Sequence, residues 1–178
     1  PSPLGPFVDD SSAPMVCQSD LGGTIDPSVV VDTDGHSWLL FKNDGNCCNL
    51  TTSLCPQQLA PDGLSVLGPP NQLLSADQPW EGNLIEAPSM VINRGTYFLF
   101  YSANAWDTAD YAIGYATCRS ITGPCTKPST EPWMTSTTFA KGLRACGLAD
   151  DNKDDQTLTY LYRLADGAVQ TIVRLLPK

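Results

Sequence analysis

The chain has 178 residues, a length that favours one compact domain and is sufficient for a substantial core. Its 10 Lys and Arg are outnumbered by 19 Asp and Glu, and the net charge of -9 argues against nucleic acid as a partner and favours an uncharged one. No run approaches the roughly 18 apolar residues of a membrane span, so we predict no membrane partner.

Short runs rich in β-branched and aromatic residues follow one another along the chain, separated by Gly, Asp, Asn or Pro. In chain order they are SVVVD, SWLLFK, SMVIN, TYFLFYSA, YAIGYATC, LTYLYR and AVQTIVRLL. Such runs are typical of strands, and no segment has a convincing helical pattern. No part is biased enough in composition to be a linker. We therefore predict an all-β fold and a single domain over residues 1–178.

The cysteine content indicates an oxidising compartment. Seven cysteines in a chain of this length are unusual in the cytosol unless their spacing suits a metal. Asn49 begins the glycosylation sequon NLT, which also favours a secreted, extracellular glycoprotein. Cys118 and Cys125 bracket the turn-like segment RSITGP and form a candidate disulfide. The odd count leaves one thiol over, either Cys17, Cys146 or one that pairs with a segment outside this sequence.

Two segments of the chain repeat one pattern at a spacing of about 60 residues. IDPSVVVDTDGHSWLLFK and IEAPSMVINRGTYFLFY align Asp26 with Glu86, and a weaker third copy runs from Gly147 into TLTYLYRL. Each copy reads as a strand, a tight turn and further strands, which together make one four-stranded propeller blade. Radial stacking of blades would place Asp26 and Glu86, each at the start of an innermost strand, at a shared central cavity.

Two carboxylates that share a cavity can perform acid catalysis. A protonated Glu86 would donate to a leaving glycosidic oxygen, and an ionised Asp26 would orient Glu86 and raise its pKa. The alternative is that both are solvated acids at strand ends, as most such residues are.

Several segments resemble glycoside hydrolase family 43, the five-bladed β-propeller arabinofuranosidases, β-xylosidases and arabinanases. They are GGTIDPSVVVDTDG, WEGNLIEAPSMV, GTYFLFYSANAWDTADYAIGYATC and GPCTK. The resemblance implies inverting hydrolysis of arabinose- or xylose-containing plant polysaccharides or oligosaccharides. It also implies that Glu86 is the general acid and that Asp26 modulates the pKa of that acid.

The same resemblance implies a third acid, an Asp on the first blade that activates water. We do not find this base in the chain, which resembles about three blades and is expected to lack the N-terminal ones. Open flanks would favour self-association or pairing with a missing N-terminal fragment. A catalytically inactive homologue that binds carbohydrate, or that has an assembly or defence role, is the alternative function.

Three further residues are candidates for substrate binding. Trp80 and Trp106 lie in segments near Glu86, where a ring could stack on a sugar, although packing explains most tryptophans equally well. Arg174 corresponds to a position where the resemblance implies a substrate-contacting arginine, and a surface arginine at a strand end is the alternative.

We predict no metal or cofactor. His36, the single histidine, lies in the turn TDGHSW and is expected to be a surface residue. The run DDNKDD lacks the Gly and the distal Glu of an EF-hand loop, so a polar hairpin turn is favoured. Calcium, which the family resemblance allows, is therefore not expected here.

Overall fold

The computed structural model describes residues 4–135 and the backbone of three later strands. The strands are β1 Thr24–Val31, β2 Ser37–Asn43, β3 Ser53–Leu59, β4 Val66–Leu67, β5 Leu74–Ser75, β6 Ile85–Asn93, β7 Thr96–Ala103, β8 Ala112–Cys118, β9 Cys125–Thr126, β10 Arg144–Cys146, β11 Thr157–Arg163 and β12 Val169–Leu175. Three single-turn 3-10 helices occur at Ser19–Leu21, Gly45–Cys48 and Pro79–Glu81.

The described strands form three antiparallel sheets in chain order. Sheet A has the order β1-β2-β3-β4 with β5 paired to β3, sheet B has the order β6-β7-β8-β9, and sheet C has the order β10-β11-β12. Apart from β5, each strand within a sheet pairs with the next one along the chain, which is the connectivity of a propeller blade. The predicted all-β fold and its blade-like repeat are thus confirmed, while the DDNKDD run lies outside the described residues.

The repeat is visible in the hairpin turns of sheets A and B. Gly35 closes the turn between β1 and β2 at φ 87°, and Gly95 closes the turn between β6 and β7 at φ 79°. Arg94 precedes Gly95 with φ 51°, so two successive residues occupy the left-handed region. Two such residues make the tight turn whose twist matches that of paired strands.

A β-bulge near the start of β1 and of β6 changes the alignment of the two acids. Between Ile25 and Ser28, and again between Glu86 and Ser89, the first strand of the sheet carries one residue more than its partner. Asp26 at φ 55° therefore matches Ala87 at φ 51°. The two acids are offset by one position, so the alignment of Asp26 with Glu86 holds in sequence but not in strand register.

Sheets A and B pack face to face over a shared apolar core. Its buried members from sheet A are Val30, Leu40, Leu54 and Leu74, and those from sheet B include Ile85, Met90 and Leu99. A second cluster covers the opposite face of sheet B and contains Val91, Phe100, Tyr111 and Ile113. The shared core fixes β1 beside β6, so that the two bulged segments lie next to each other.

Candidate active site

The two predicted acids meet where β1 and β6 lie side by side. The backbone N–H of Ala87 donates a hydrogen bond to Asp26 Oδ2 over 2.9 Å. Two residues after Asp26 and one residue after Ala87, the hydroxyl of Ser28 donates to the carbonyl oxygen of Pro88 over 2.6 Å. These bonds cross from sheet A to sheet B and set the carboxylate of Asp26 against the backbone next to Glu86.

Glu86 is held by one lysine and one tyrosine. Lys42 Nζ, from the end of β2, donates to Glu86 Oε2 over 3.0 Å, and the hydroxyl of Tyr111 donates to Glu86 Oε1 over 2.7 Å. The side chain of Lys42 is 0% exposed, whereas that of Glu86 is 14% exposed. A fixed carboxylate that still reaches solvent is the kind of group that can exchange a proton with a bound ligand.

Tyr111 remains a neutral hydroxyl at this position. Burial, followed by the negative charge of Glu86 and its hydrogen bond, raises the pKa of Tyr111, and the charge of Asp26 acts in the same direction. The negative charges of both carboxylates therefore act on this one phenol.

The structure places Trp80 partly buried against the core. Trp80 lies in the 3-10 helix Pro79–Glu81 and stacks on Tyr101, with 6.1 Å between ring centroids. It packs against the core that sheets A and B share, and its indole Nε1 is buried without a hydrogen-bond partner. The described contacts of Trp80 therefore favour the packing alternative over sugar stacking.

The other predicted site residues are more exposed or lie outside the description. Trp106 is 60% exposed in the loop between β7 and β8, the loop that ends at Tyr111. Asn49 is exposed and follows the 3-10 helix Gly45–Cys48. Arg174 is opposite Leu158 in the pairing of β11 and β12, and its side chain lies outside the described residues.

The described cysteines form two disulfides. Cys118 bonds to Cys125 across the β8–β9 hairpin, and Cys47 bonds to its neighbour Cys48. Cys17 is free and exposed, whereas Cys55 is free and buried. Burial raises the pKa of the Cys55 thiol to about 11. The side chain of Cys146 lies outside the described residues.

A second glutamate, Glu81, lies near the site and is completely enclosed. Tyr101 donates to its carboxylate over 2.7 Å, Lys127 over 2.8 Å, and the backbone N–H groups of Asp77 and Gln78 over 2.8 and 3.0 Å. Its side chain is 0% exposed and that of Lys127 is 7% exposed. This network holds the segment before β6 against β7 and the chain after β9.

One cluster in the described part of the chain has metal-ligand chemistry. Asp32, Asp34 and His36 converge in the β1–β2 turn. Asp32 already accepts hydrogen bonds from the backbone N–H groups of Asp34 and His36 and from Trp38 Nε1. Burial alone would raise the pKa of Asp32, but these bonds together lower it. The hydrogen bonds of the turn thus satisfy the cluster, and we assign no ion to it.

Among the described helices, none is long and apolar enough to cross a membrane.

Sequence reasoning missed the residues that hold Glu86. Lys42 directly follows the apolar run SWLLF, and a buried lysine after such a run needs a carboxylate partner, which is a usable signal. Tyr111 opens a predicted strand, and no sequence pattern distinguishes its hydroxyl from those of other core tyrosines.

Comparisons with known proteins agree with the fold and the repeat. The model of glycosyl hydrolases family 43 matches residues 1–171. The chain is 29% identical over 124 residues to the extracellular endo-α-(1→5)-L-arabinanase 1 of Bacillus subtilis (strain 168), which covers 67% of this chain and 36% of that protein.

Two solved structures from Bacteroides thetaiotaomicron are similar. The endo-1,4-β-xylanase superposes with a TM-score of 0.76 at 26% identity, covering 97% of this chain and 60% of that one. The endo-arabinase superposes with a TM-score of 0.72 at 22% identity, covering 99% of this chain and 63% of that one. The chain therefore spans less than two thirds of the length of each of these relatives. The matched family model and the blade architecture together establish that this chain belongs to glycosyl hydrolases family 43 and carries part of its five-bladed β-propeller.

Proposed function

We propose that this chain carries the general acid of a secreted glycosidase that hydrolyses arabinose- or xylose-containing glycans with inversion. Glu86 is the proposed acid and Asp26 its positioning and modulating partner. The observation that carries the proposal is the hydrogen bond from Ala87 N to Asp26 Oδ2, which joins the carboxylate of Asp26 to the residue next to Glu86 across two sheets. The relatives named as an arabinanase and a xylanase support a pentose-containing substrate.

The partners of Glu86 suit a group that gains and loses a proton. A tyrosine hydroxyl can donate to a carboxylate and can also accept from a carboxylic acid, so Tyr111 can keep its contact with Glu86 in both states. Lys42 and Asp26 place one positive and one negative charge beside Glu86. A change of proton at Glu86 therefore requires no rearrangement of the backbone.

Inversion also needs a carboxylate base about 6.5 to 9.5 Å from the acid, with water between them. We assign this role to none of the residues in 4–135. Because a positioned base typically contributes about 10² to 10⁴-fold, the proposal applies to the intact protein in which that base is supplied.

The test is Glu86→Gln in the intact protein, assayed on arabino- and xylo-oligosaccharides and on the matching 4-nitrophenyl pentosides. We expect kcat/KM on the oligosaccharides to fall by about 10² to 10⁴-fold, since they need a proton on the leaving oxygen. The loss on the nitrophenyl substrates should be smaller, because nitrophenolate leaves readily without one. Glu131→Gln, which changes an exposed glutamate, is the matched control.

Unchanged hydrolysis of both substrate types by a folded Glu86→Gln variant would refute the proposal.

The role of Asp26 is tested by measuring the pH profile of kcat/KM for the Asp26→Asn variant. A modulating role predicts that the alkaline limb of this profile moves to lower pH when the negative charge is removed. A profile of unchanged shape would leave Asp26 with a purely structural contact.

A further inference from the structure

The loop between β2 and β3 exposes a disulfide that contributes little to holding the chain together. Cys47 and Cys48 are adjacent in sequence and both are exposed. A disulfide stabilises mainly by closing a loop in the unfolded chain, and this effect decreases with the size of the loop. A bond between neighbouring residues closes almost none, so its stabilising effect does not account for two sulfur atoms at the surface.

The loop is tied to the proposed acid on one side. Asn46, the residue before the disulfide, accepts a hydrogen bond from Lys42 Nζ over 2.9 Å. The same ammonium donates to Glu86 Oε2 over 3.0 Å. One buried cation therefore links the proposed acid to the residue that precedes the sulfur pair.

The loop is seated against the entry to β1 on the other side. Cys47 Sγ lies 3.7 Å from the carbonyl oxygen of Gly22, in the segment that leads to Asp26. A Cβ added at Gly22 would lie 2.5 Å from the carbonyl oxygen of Asp44 and 3.2 Å from Cys47 Sγ. Only glycine allows this close approach, so the loop that carries the disulfide has a fixed place against the segment that leads into β1.

We propose that the Cys47–Cys48 disulfide is the apolar wall of a pentose subsite adjacent to Glu86. This inference rests on the proposed function and deepens it by assigning a binding element. A pentose ring has hydroxyl edges and C–H faces, and the solvent-accessible polar side chains of Asn46 and Glu86 suit its edges. Two adjoining sulfur atoms form a small, polarizable and rigid surface that suits a C–H face.

The first test is the double variant Cys47→Ser, Cys48→Ser in the intact protein carrying Glu86→Gln. Calorimetry with linear α-1,5-arabinotriose and β-1,4-xylotriose should show binding of the better ligand weakened about fivefold to tenfold, the loss expected for one small apolar contact. The serines keep nearly the same size and remove the sulfur surface. Cys17→Ser, which changes an exposed free thiol, is the control and should bind as the parent does. Unaltered affinity in a folded double variant would overturn the inference.

The second test reads the disulfide directly and requires no substitution at either cysteine. The intact Glu86→Gln protein is reduced with a phosphine, trapped with N-ethylmaleimide and mapped by mass spectrometry, with and without a saturating trisaccharide. A sugar on the disulfide should slow its reduction at least about fivefold, because reduction needs access to a sulfur atom. Cys118–Cys125 is the internal reference, and its rate should not change. Equal rates with and without either trisaccharide would overturn the inference.

The two proposals fail in different ways. If Glu86→Gln does not reduce hydrolysis, the assigned acid is wrong, whatever the disulfide does. If Glu86→Gln reduces hydrolysis as expected but the serine pair leaves KM and affinity at parental values, only the subsite is wrong. With both correct, the serine pair in the otherwise unaltered protein raises KM about fivefold to tenfold and leaves kcat within about twofold.

Discussion

Glu81 and Glu86 have the same kinds of hydrogen-bond partner but differ in their exposure to solvent. Each carboxylate accepts a hydrogen bond of 2.7 Å from a tyrosine hydroxyl and another hydrogen bond from a buried lysine. The donors are Tyr101 and Lys127 for Glu81, and Tyr111 and Lys42 for Glu86. Glu81 also accepts two backbone N–H groups and is 0% exposed, whereas Glu86 is 14% exposed. Both glutamates form an ion pair with a lysine, so the property that distinguishes them is exposure to solvent.

The difference shows how a chain separates an acid that stabilises from an acid that is available for chemistry. The oxygens of Glu81 face donors on all sides, so a change of charge there leaves several groups without a partner. Glu86 has two partners, and one of them is a hydroxyl that can reverse its hydrogen bond. We therefore expect substitutions at the two glutamates to affect different measurements.

The largest effect on stability is expected from Glu81→Gln. The amide removes the charge that offsets Lys127 and turns an NH2 group toward existing donors, so the free energy of unfolding should fall by about 3 kcal/mol. Glu86→Gln is the comparison variant. It should lose less, about 1 to 2 kcal/mol, because its amide can still accept from Lys42 and donate to Tyr111, although the buried ammonium of Lys42 loses its carboxylate partner. Urea unfolding monitored by tryptophan fluorescence measures both. Equal losses would show that the greater burial of Glu81 does not make its carboxylate more important for stability than that of Glu86.

An intermediate effect is expected from the two tyrosines. Tyr101→Phe should lower the free energy of unfolding by about 1.5 to 3 kcal/mol, since it removes a hydrogen bond to a buried charge, and should leave kcat unchanged. Tyr111→Phe should lower kcat about tenfold, because it removes a contact to the proposed acid. Steady-state kinetics on folded fractions of each variant provides the measurement. A fall in kcat for Tyr101→Phe, or none for Tyr111→Phe, would contradict this division.

The smallest effect is expected from Asp77→Asn. Asp77 Oδ1 shares the ammonium of Lys127 with Glu81 over 2.6 Å, but its side chain is 63% exposed, so the pair should contribute only about 0 to 1 kcal/mol. The hydrogen bond from Lys127 lowers the pKa of Asp77 below its ordinary value. The contribution is therefore present above the unfolded pKa of about 3.9 and is lost as the pH falls through the lower folded value.

Unfolding of the parent and of Asp77→Asn at pH 7 and at pH 2.5 measures this contribution. The small difference between the two proteins at pH 7 should be smaller at pH 2.5. A difference that is undiminished in acid would show that the effect of Asp77 does not come from its charge.

Much of the fold could be predicted because its strands are dense in β-branched and aromatic residues. β3, Ser53–Leu59, is the longest of the strands that sequence reasoning missed, since its letters SLCPQQL contain Pro56 and two glutamines in place of an apolar alternation. Tertiary contacts override this poor propensity. Gln57 is 5% exposed, and its side-chain nitrogen donates to the carbonyl oxygen of Gly68 over 2.6 Å.

The site could be predicted only as far as its acids. Asp26 and Glu86 are visible in a repeated motif, whereas their partners come from distant positions, such as Lys42, 44 residues from Glu86. The offset of one residue between the acids depends on a bulge in each sheet, and a bulge leaves no clear mark in one sequence. The packing of Trp80 likewise depends on Tyr101, which no local pattern connects to it.

The bulge at Ala87 makes the geometry of the site depend on the relative position of two blades. The backbone N–H of Ala87 lies outside the regular pairing of β6 with β7 and instead donates a hydrogen bond to Asp26 of the neighbouring sheet. A small slip of one blade along the other would break this bond and the bond between Ser28 and Pro88, while the strands within each blade stayed paired. Warming should therefore inactivate the protein before its strands melt, and loss of turnover should be the earliest sign that the seam between the blades has loosened.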